Sequence, residues 1–165
     1  MCNKNFLCYN IPNFHREVII IKHILELDGE KITFNASDTD FEIISNITAE
    51  LISHRGFVNM DTSDIVDILN GADDVSVGEG TASGDNRLED AILAAMKNTA
   101  GTHGAKGFIL EIKGGFEASL AEIGSAAYII ERNCPDAKSD VNIVWGHVLD
   151  GNMEDDIQAR LIVIK

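Results

Sequence analysis

The amino-acid sequence predicts an α+β domain in which helices cover a small mixed sheet. From Asp61 onward, helix-type and strand-type apolar patterns follow in the order helix, strand, helix, strand, helix, strand, strand. A β-hairpin signal precedes this alternation. The chain has 165 residues, 45% of them hydrophobic, and a mean hydropathy of +0.02. These values are typical of one soluble globular domain with a real core.

The charge of the chain is strongly acidic, with 13 basic against 27 acidic side chains and a formal net charge of −14. A surface of this sign repels nucleic acid and anionic membranes, so neither is expected as a partner. Cys2, Cys8 and Cys134 lack metal-ligand spacing and cannot all pair as disulfides. No apolar run approaches the ~20 residues that span a bilayer, and residues 1–16 lack the apolar core of a signal peptide. These features predict a cytoplasmic protein.

Residues 1–40 are predicted to form an N-terminal extension that contains a β-hairpin. Residues 17–28 are rich in β-branched side chains and read as a strand. A helix over 17–27 is the weaker alternative, because consecutive isoleucines lose rotamer freedom in helices. Asp28-Gly29 marks the turn. Apolar residues alternate on both sides of it: Leu25, Leu27, Ile32 and Phe34.

The main domain is predicted over 41–165 and begins with a helix over 41–55. Its acidic residues lie at the start, His54 and Arg55 lie in the last turn, and Gly56 stands at the C-cap position. One face of this helix is apolar: Phe41, Ile44, Ile47 and Leu51.

A loop over 56–64, with the sequence GFVNMDTSD, joins this helix to a second one that begins near Thr62. Asp61 is predicted to be the N-cap and Asp64 the third helical residue of an arrangement like a capping box. Together with Asn59, these carboxylates have a spacing that can also orient a water or a cation. The residues alone favour the capping interpretation.

The glycine-rich segment GEGTASG follows a short strand predicted over 74–77. It matches neither the dinucleotide fingerprint nor the Walker A loop, so its small residues predict a tight crossing from strand to helix. The next helix carries an apolar stripe formed by Leu88, Ala91, Ile92, Ala95 and Met96.

The last third of the chain is predicted to hold three strands and one helix. The strands cover 108–112, 141–148 and 158–164, and the last two read as an antiparallel pair joined by an acidic connection. The helix opens with a capping box from Ser119 to Glu122. Its predicted inner face consists of Leu120, Ile123, Ala127 and Ile130.

The residues predict no metal site, nucleophile or cofactor site. Ser83 and Ser119 lack the GxSxG context of a nucleophile. The histidines form no HxxxH pair and lie far from one another in the sequence: His15, His23, His54, His103 and His147.

Four ordered segments, from about residue 48 to residue 165, resemble the C-terminal domain of FtsZ, the tubulin-like division GTPase of bacteria. The family's GxxNxDxxD synergy loop is matched at Gly56, Asn59, Asp61 and Asp64. VGEGTASGDNRLEDAILAA is similar to the family's GxGxASGxxRAxxAAxxA stretch, with departures at Thr81 and Leu88. AKGFILEIKGGFEASLAEI and DVNIVWGHVLDGNMEDDIQARLIVIK resemble the segments that follow.

This resemblance implies a two-layer sandwich in which two helices pack on a four-stranded mixed sheet. It also implies that residues 41–55 correspond to the end of the long helix that links the two FtsZ domains. It also implies a split active site. In the family, the synergy loop enters the nucleotide pocket of a neighbouring subunit, where its acidic residues position the water that attacks GTP. Carried over, Asp61 and Asp64 would orient that water and Asn59 would line the phosphate region, in trans only.

The chain departs from a complete FtsZ in having no GGGTGTG signature, and its residues 1–40 are too short for the GTP-binding domain of the family. We therefore expect no GTPase activity from it alone and no cofactor except GTP held by a partner. The predicted function is association with an FtsZ- or tubulin-like partner, or with itself, to modulate filament assembly or GTP hydrolysis in cell division or the cytoskeleton.

Two alternatives stay open at this point. One is a structural module that forms homo-oligomers, with the hairpin pairing to a sheet edge and the loop acting only as a cap. The other is a separately encoded half of a polymerising GTPase.

Overall fold

The computed structural model of the protein describes residues 8–9, 18–54, 56–134 and 141–165. Cys8–Tyr9 and Val18–Ile19 (β1 and β2) form a small antiparallel pair, and the other six strands form one mixed sheet in the order β3-β4-β5-β8-β6-β7. These strands are β3 (Ile21–Leu27), β4 (Glu30–Ala36), β5 (Val75–Ser83), β6 (Gly107–Gly114), β7 (Asn142–Leu149) and β8 (Asp156–Ile164). The helices are α1 (Asp38–Ser53), α2 (Thr62–Leu69), α3 (Arg87–Asn98), α4 (Leu120–Ile123) and α5 (Ala126–Asn133).

The predicted mixed sheet with helices on it is confirmed, but it has six strands instead of four. The two additional strands are β3 and β4, because the N-terminal hairpin joins the sheet of its own chain. β4 runs parallel to β5 and pairs with it at Ala36 and Val75. The Asn35 amide also donates to the Ala72 carbonyl at 3.0 Å, and the Gly71 amide donates to the Thr33 carbonyl at 2.7 Å.

The hairpin itself forms as its turn residues predict. Asp28 and Gly29 have φ angles of 49° and 87°, the pair of positive values that a type I′ turn requires. The predicted alternation is confirmed, since the four apolar residues that flank the turn are buried: Leu25, Leu27, Ile32 and Phe34. The alternative of a helix over 17–27 is wrong over the described part of that range.

Helices cover both faces of the central strands. Leu161 and Val163 of β8 lie in one core with α3 and α5, whereas Ile162 and Ile164 lie in a second core with α1, α2 and the hairpin. The predicted sandwich of a sheet with helices thus corresponds to β5–β8 with α3, α4 and α5. The helices α1 and α2 add a further layer on the opposite face.

The two final strands are not the antiparallel pair that their order indicates. β8 lies between β5 and β6 and is antiparallel to both, while β7 pairs in parallel with β6. The burial of β8 explains the difference, because all residues from Ala159 to Ile164 are buried and favour the centre of the sheet. β7 takes the edge, where Asn142 is exposed and Trp145 is half-buried.

The strand that begins at Val75 extends to Ser83 and includes the glycines predicted to belong to a tight crossing. These glycines are needed because α3 lies directly on the strand. A Cβ atom on Gly78 would lie 2.1 Å from the Ala95 carbonyl oxygen, and one on Gly80 would lie 2.3 Å from that of Ala91. The crossing follows at Gly84, whose φ is +88°.

The helix predicted from Ser119 divides into α4 and α5 at Gly124. Ser119 caps α4 as predicted, and its hydroxyl oxygen accepts from the Glu122 amide at 3.2 Å. The division rotates the second half, so the predicted inner face is wrong at Leu120, which is 56% exposed, and at Ala127, which is half-buried. The buried residues of the pair are Ile123, Ala126, Ile129 and Ile130.

The first helix begins at Asp38, three residues before the predicted start, because Ser37 acts as its N-cap and accepts from the Asp40 amide at 3.0 Å. Its predicted apolar face is buried at Ile44, Ile47 and Leu51, and Phe41 is partly buried against the same core. The helix ends at Ser53 with His54 as its C-cap, so the predicted C-cap at Gly56 is wrong. Within the described ranges, no helix is long and apolar enough to cross a membrane.

Candidate functional site

The loop over 56–64 ends in the helix cap that its sequence predicts. Asp61 is the N-cap of α2, with φ −93° and ψ 153°, and Asp64 is the third helical residue. The Asp61 amide donates to Asp64 Oδ2 at 3.2 Å, which completes the capping box. Earlier in the loop, the Gly56 amide donates to Asn59 Oδ1 at 3.1 Å. The capping interpretation is therefore confirmed.

A histidine on the edge strand β7 anchors the same loop. The His147 amide donates to the Val58 carbonyl at 2.8 Å, and the Phe57 amide donates to His147 Nδ1 at 3.2 Å. The imidazole also stacks on the Phe57 ring, with centroids 5.2 Å apart. Because Nδ1 accepts a hydrogen bond, the ring is neutral and carries its proton on Nε2. Burial lowers the pKa of His147, which favours the same neutral form.

Two glycines allow the loop to lie directly on β7. A Cβ atom on Gly56 would lie 1.9 Å from the His147 carbonyl oxygen. A Cβ atom on Gly146 would lie 2.8 Å from Leu51 Cδ2 and 3.2 Å from Met60 Cγ. Met60 is buried between the loop and the core, so the loop is attached both through its backbone and through one apolar side chain.

The N-terminal hairpin also contacts this site. The Thr62 hydroxyl donates to Asp28 Oδ2 at 2.6 Å, which joins the first residue of α2 to the turn between β3 and β4. The loop therefore has three supports outside itself: β7, the core below Met60, and the hairpin turn.

The predicted site residues Asn59, Asp61 and Asp64 lie together on this anchored loop, and all three side chains are exposed. The exposed carboxylates can accept hydrogen bonds from a water or from a docked partner, and the Asn59 side-chain NH2 can donate them. Among the residues that the structure describes, no group of three or more His, Cys, Asp or Glu side chains is arranged to hold a metal ion. A role for these residues in hydrolysis stays a prediction.

Sequence reasoning did not find His147 as part of the site. It lies 90 residues from Phe57, in a strand of mixed polarity, and no local motif marks it. The only available signal is its position next to Gly146, in a segment similar to a family strand.

A second feature that was not predicted is the buried guanidinium of Arg87 at the start of α3, although Arg87 matches the arginine of the glycine-rich stretch over 77–95. Its Nε donates to Glu122 Oε1 at 2.8 Å, and its Nη1 donates to Asp155 Oδ1 at 2.8 Å. Its Nη2 donates to the Glu117 carbonyl at 3.1 Å. Arg87 thus ties α3 to α4 and to the acidic connection between β7 and β8, and it holds the pKa of Glu122 below its usual range.

A cluster of four charged side chains joins α1 to the sheet. Glu111 on β6 is fully buried and forms an ion pair with Arg160 on β8. Glu50 on α1 lies 3.0 Å from Arg160 Nη2 and 2.5 Å from Lys113 Nζ. Burial raises the pKa of Glu111 despite the hydrogen bond from Arg160. These four residues fix α1, and hence the entry to the loop, against β6 and β8.

Comparison with known proteins identifies the fold. The family model described as "FtsZ family, C-terminal domain" matches residues 74–165, from just before β5 to the end of the chain, which is more than half of its length. The chain belongs to the FtsZ family. The match begins after the loop over 56–64 and after the hairpin.

Solved structures with the same fold include FtsZ and TubZ. An empty FtsZ dimer from M. jannaschii is 21% identical, with a TM-score of 0.65, and the match covers 75% of this chain and 37% of that one. A mutant of M. jannaschii FtsZ is 22% identical, with a TM-score of 0.64 and coverages of 75% and 38%. A GTPγS-form TubZ protofilament from Bacillus thuringiensis serovar israelensis is 14% identical, with a TM-score of 0.53 and coverages of 74% and 33%.

The matched region is thus little more than a third of each FtsZ chain and a third of the TubZ chain. At these identities the matches establish the FtsZ C-terminal fold and nothing further about activity.

Proposed function

We propose that this FtsZ C-terminal domain does not hydrolyse GTP alone and acts on an FtsZ- or tubulin-like partner. It docks its 56–64 loop at the partner's nucleotide site and modulates filament assembly or GTP hydrolysis in trans. The role is cytoskeletal or in cell division, and the compartment is the cytoplasm. Asp61 and Asp64 orient the attacking water, and Asn59 lines the phosphate region.

The observation that carries the proposal is that Asn59, Asp61 and Asp64 are exposed on a loop that is anchored to β7, to the core and to the hairpin turn. Hydrogen bonds to His147 and Asp28 and the burial of Met60 support the loop from outside. Asn59 and Asp64 each accept one hydrogen bond within the loop, and both side chains are still exposed. A preordered loop loses little conformational entropy on docking, which favours recognition of a partner.

The assemblies of the solved relatives support this kind of partner. One FtsZ structure is a dimer and one TubZ structure is a protofilament. Phe57 adds an apolar contact beside the carboxylates, since it is 51% exposed and its ring is held against His147. Rigid aromatic side chains of this kind are common anchors at protein interfaces.

The experiment adds the purified protein to FtsZ from M. jannaschii and measures GTP turnover by phosphate release and polymer by light scattering. We expect the wild-type protein to change one or both. The variant Asp61→Asn with Asp64→Asn removes both charges, and asparagine still caps helices. We expect this variant to change GTP turnover at least about tenfold less than the wild type does.

Asp67→Asn is the matched control, because Asp67 is exposed on the same helix outside the loop. It should act like the wild type. If excess wild-type protein leaves turnover and polymer unchanged, the proposal is wrong. If the double variant acts like the wild type, the carboxylates of Asp61 and Asp64 do not orient the water that attacks GTP.

Calorimetric titration of the protein with GTP separates this proposal from autonomous GTP binding. We expect no tight binding by the chain alone. An affinity in the micromolar range or better would contradict the proposal, whatever the result with FtsZ.

A further inference from the structure

The strand β3 lies at one end of the six-stranded sheet, and no described strand pairs with its outer edge. β1 pairs with Val18–Ile19, which precede β3, and not with β3 itself. Ile21–Leu27 is seven residues long and contains neither proline nor glycine. Such an edge presents unpaired main-chain groups to any strand that approaches it.

The register of the hairpin determines which main-chain groups are unpaired. Leu27 and Glu30 close the two-residue turn, and a pair in this position exchanges both of its hydrogen bonds. Every second residue before Leu27 therefore bonds to β4. The residues in between direct their amides and carbonyls away from β4: Lys22, Ile24 and Glu26.

These three residues have a self-complementary charge pattern about Ile24. We infer that two copies of the chain pair antiparallel through β3, with a two-fold axis at Ile24. Lys22 then lies opposite Glu26 of the partner subunit, and Glu26 lies opposite the partner's Lys22. Both are hydrogen-bonded pairs in which opposite charges face each other on the same side of the sheet, which stabilises antiparallel pairing. About six main-chain hydrogen bonds form across the axis.

Charge also excludes the neighbouring registers. An axis at Lys22 would place that lysine opposite its own copy, and an axis at Glu26 would do the same with glutamate. Like charges directly opposite each other destabilise a strand pair. An axis at an intervening residue such as His23 would present groups already bonded to β4.

Apolar exposure at this edge favours the same arrangement. Ile24 is 65% exposed and Ile21 is 38% exposed, although both belong to a strand whose other apolar residues are buried. In the pair, Ile24 contacts its own copy and Ile21 lies opposite the partner's Leu27. The apolar layer beneath α1 then continues across the axis. This inference does not rest on the proposed function, because it uses none of the loop residues.

The test is sedimentation equilibrium of the full chain and of two single variants, Lys22→Glu and Glu26→Lys. We expect the wild type to show a concentration-dependent dimer. Each variant alone places like charges opposite each other at both positions, so dimerisation should weaken about tenfold or more. An equimolar mixture of the two variants restores opposite charges at both positions. It should therefore form a heterodimer with about the wild-type affinity.

Lys97→Glu is the control for net charge, because Lys97 is exposed at the end of α3. It should dimerise like the wild type. Glu26 also faces Lys31 within the hairpin, so urea unfolding of each variant checks that the hairpin remains folded. A wild type that stays monomeric up to its solubility limit would overturn the inference. Failure of the mixture to associate more tightly than either variant alone would also overturn it.

Discussion

At the scale of single residues, the orientation of the 56–64 loop depends on His147. The His147 imidazole accepts a hydrogen bond from the Phe57 amide and stacks on the Phe57 ring. The main-chain amide of His147 donates to the Val58 carbonyl. Only the neutral ring can accept at Nδ1, and burial already disfavours the charged form. Protonation of this residue therefore opposes the folded loop.

We expect the free energy of unfolding to fall as the pH drops below about 6.5, the usual pKa of histidine. The pKa of His147 is lowered in the folded state, so the unfolded chain takes up the proton first and acidification favours unfolding. Urea unfolding at about pH 7.5 and about pH 5.5 measures the effect. His147→Phe keeps the aromatic contact, loses about 1–3 kcal/mol at neutral pH and should show a smaller pH dependence. An unchanged pH dependence in this variant would contradict the assignment.

At the scale of elements, the packing of α3 on β5 requires two glycines, and a third glycine is needed for a different reason. Gly80 has no space for a Cβ atom below the α3 backbone. Gly84 has nothing within 4 Å of such an atom, but its φ of +88° is strained for other residues. Both glycines belong to the segment GEGTASG, and the sequence alone does not distinguish their roles.

Substitutions at these glycines should separate the two causes. Gly80→Ala forces α3 away from the strand, and we expect a loss of about 3 kcal/mol or more. Gly84→Ala should cost about 1–2 kcal/mol, and Gly84→Asn should recover part of this loss because asparagine tolerates positive φ. Thermal or urea unfolding of the three variants gives the comparison. Equal costs for the two alanine variants would show that α3 yields to the added methyl group and that lack of space does not govern Gly80.

The junction of α3, α4 and the acidic connection depends on Arg87. Arg87 is only 7% exposed. Its guanidinium donates hydrogen bonds to Glu122, to Asp155 and to the Glu117 carbonyl. Arg87→Ala leaves these acceptors without their buried donor, and we expect a loss of about 2–4 kcal/mol in urea unfolding. Arg132→Ala is the control, since its ion pair with Glu89 is exposed. That change should cost less than about 1 kcal/mol.

At the scale of the whole molecule, the hairpin is joined to the sheet and does not form a core of its own. Phe34 and Ile32 are buried in the same cluster as α1, α2 and Ile162 of the central strand β8. The parallel contact of β4 with β5 extends the sheet to one side, while β7 closes the other. The division of the chain into 1–40 and 41–165 therefore has a direct experimental test.

Phe34→Ala should lower the free energy of unfolding by about 3–5 kcal/mol, because it leaves a cavity in this shared core. Trp145 is the single tryptophan and lies on β7, at the other edge of the sheet. If the hairpin and the main domain unfold together, the tryptophan fluorescence transition moves to lower urea concentration, by a shift that corresponds to the whole loss in the free energy of unfolding. A tryptophan transition that does not move would show that residues 1–40 fold as a separate appendage.

The sequence by itself determined the local features of this protein: the Asp28-Gly29 turn, the apolar face of α1, the Asp61–Asp64 cap and the existence of most strands. These depend on turn chemistry and periodicity, which involve residues close in the chain. Only the tertiary structure decided that β8 is central, that the hairpin extends the sheet and that His147 holds the loop. Such contacts join residues that are far apart in the chain, and their partners are selected by burial of the whole sheet.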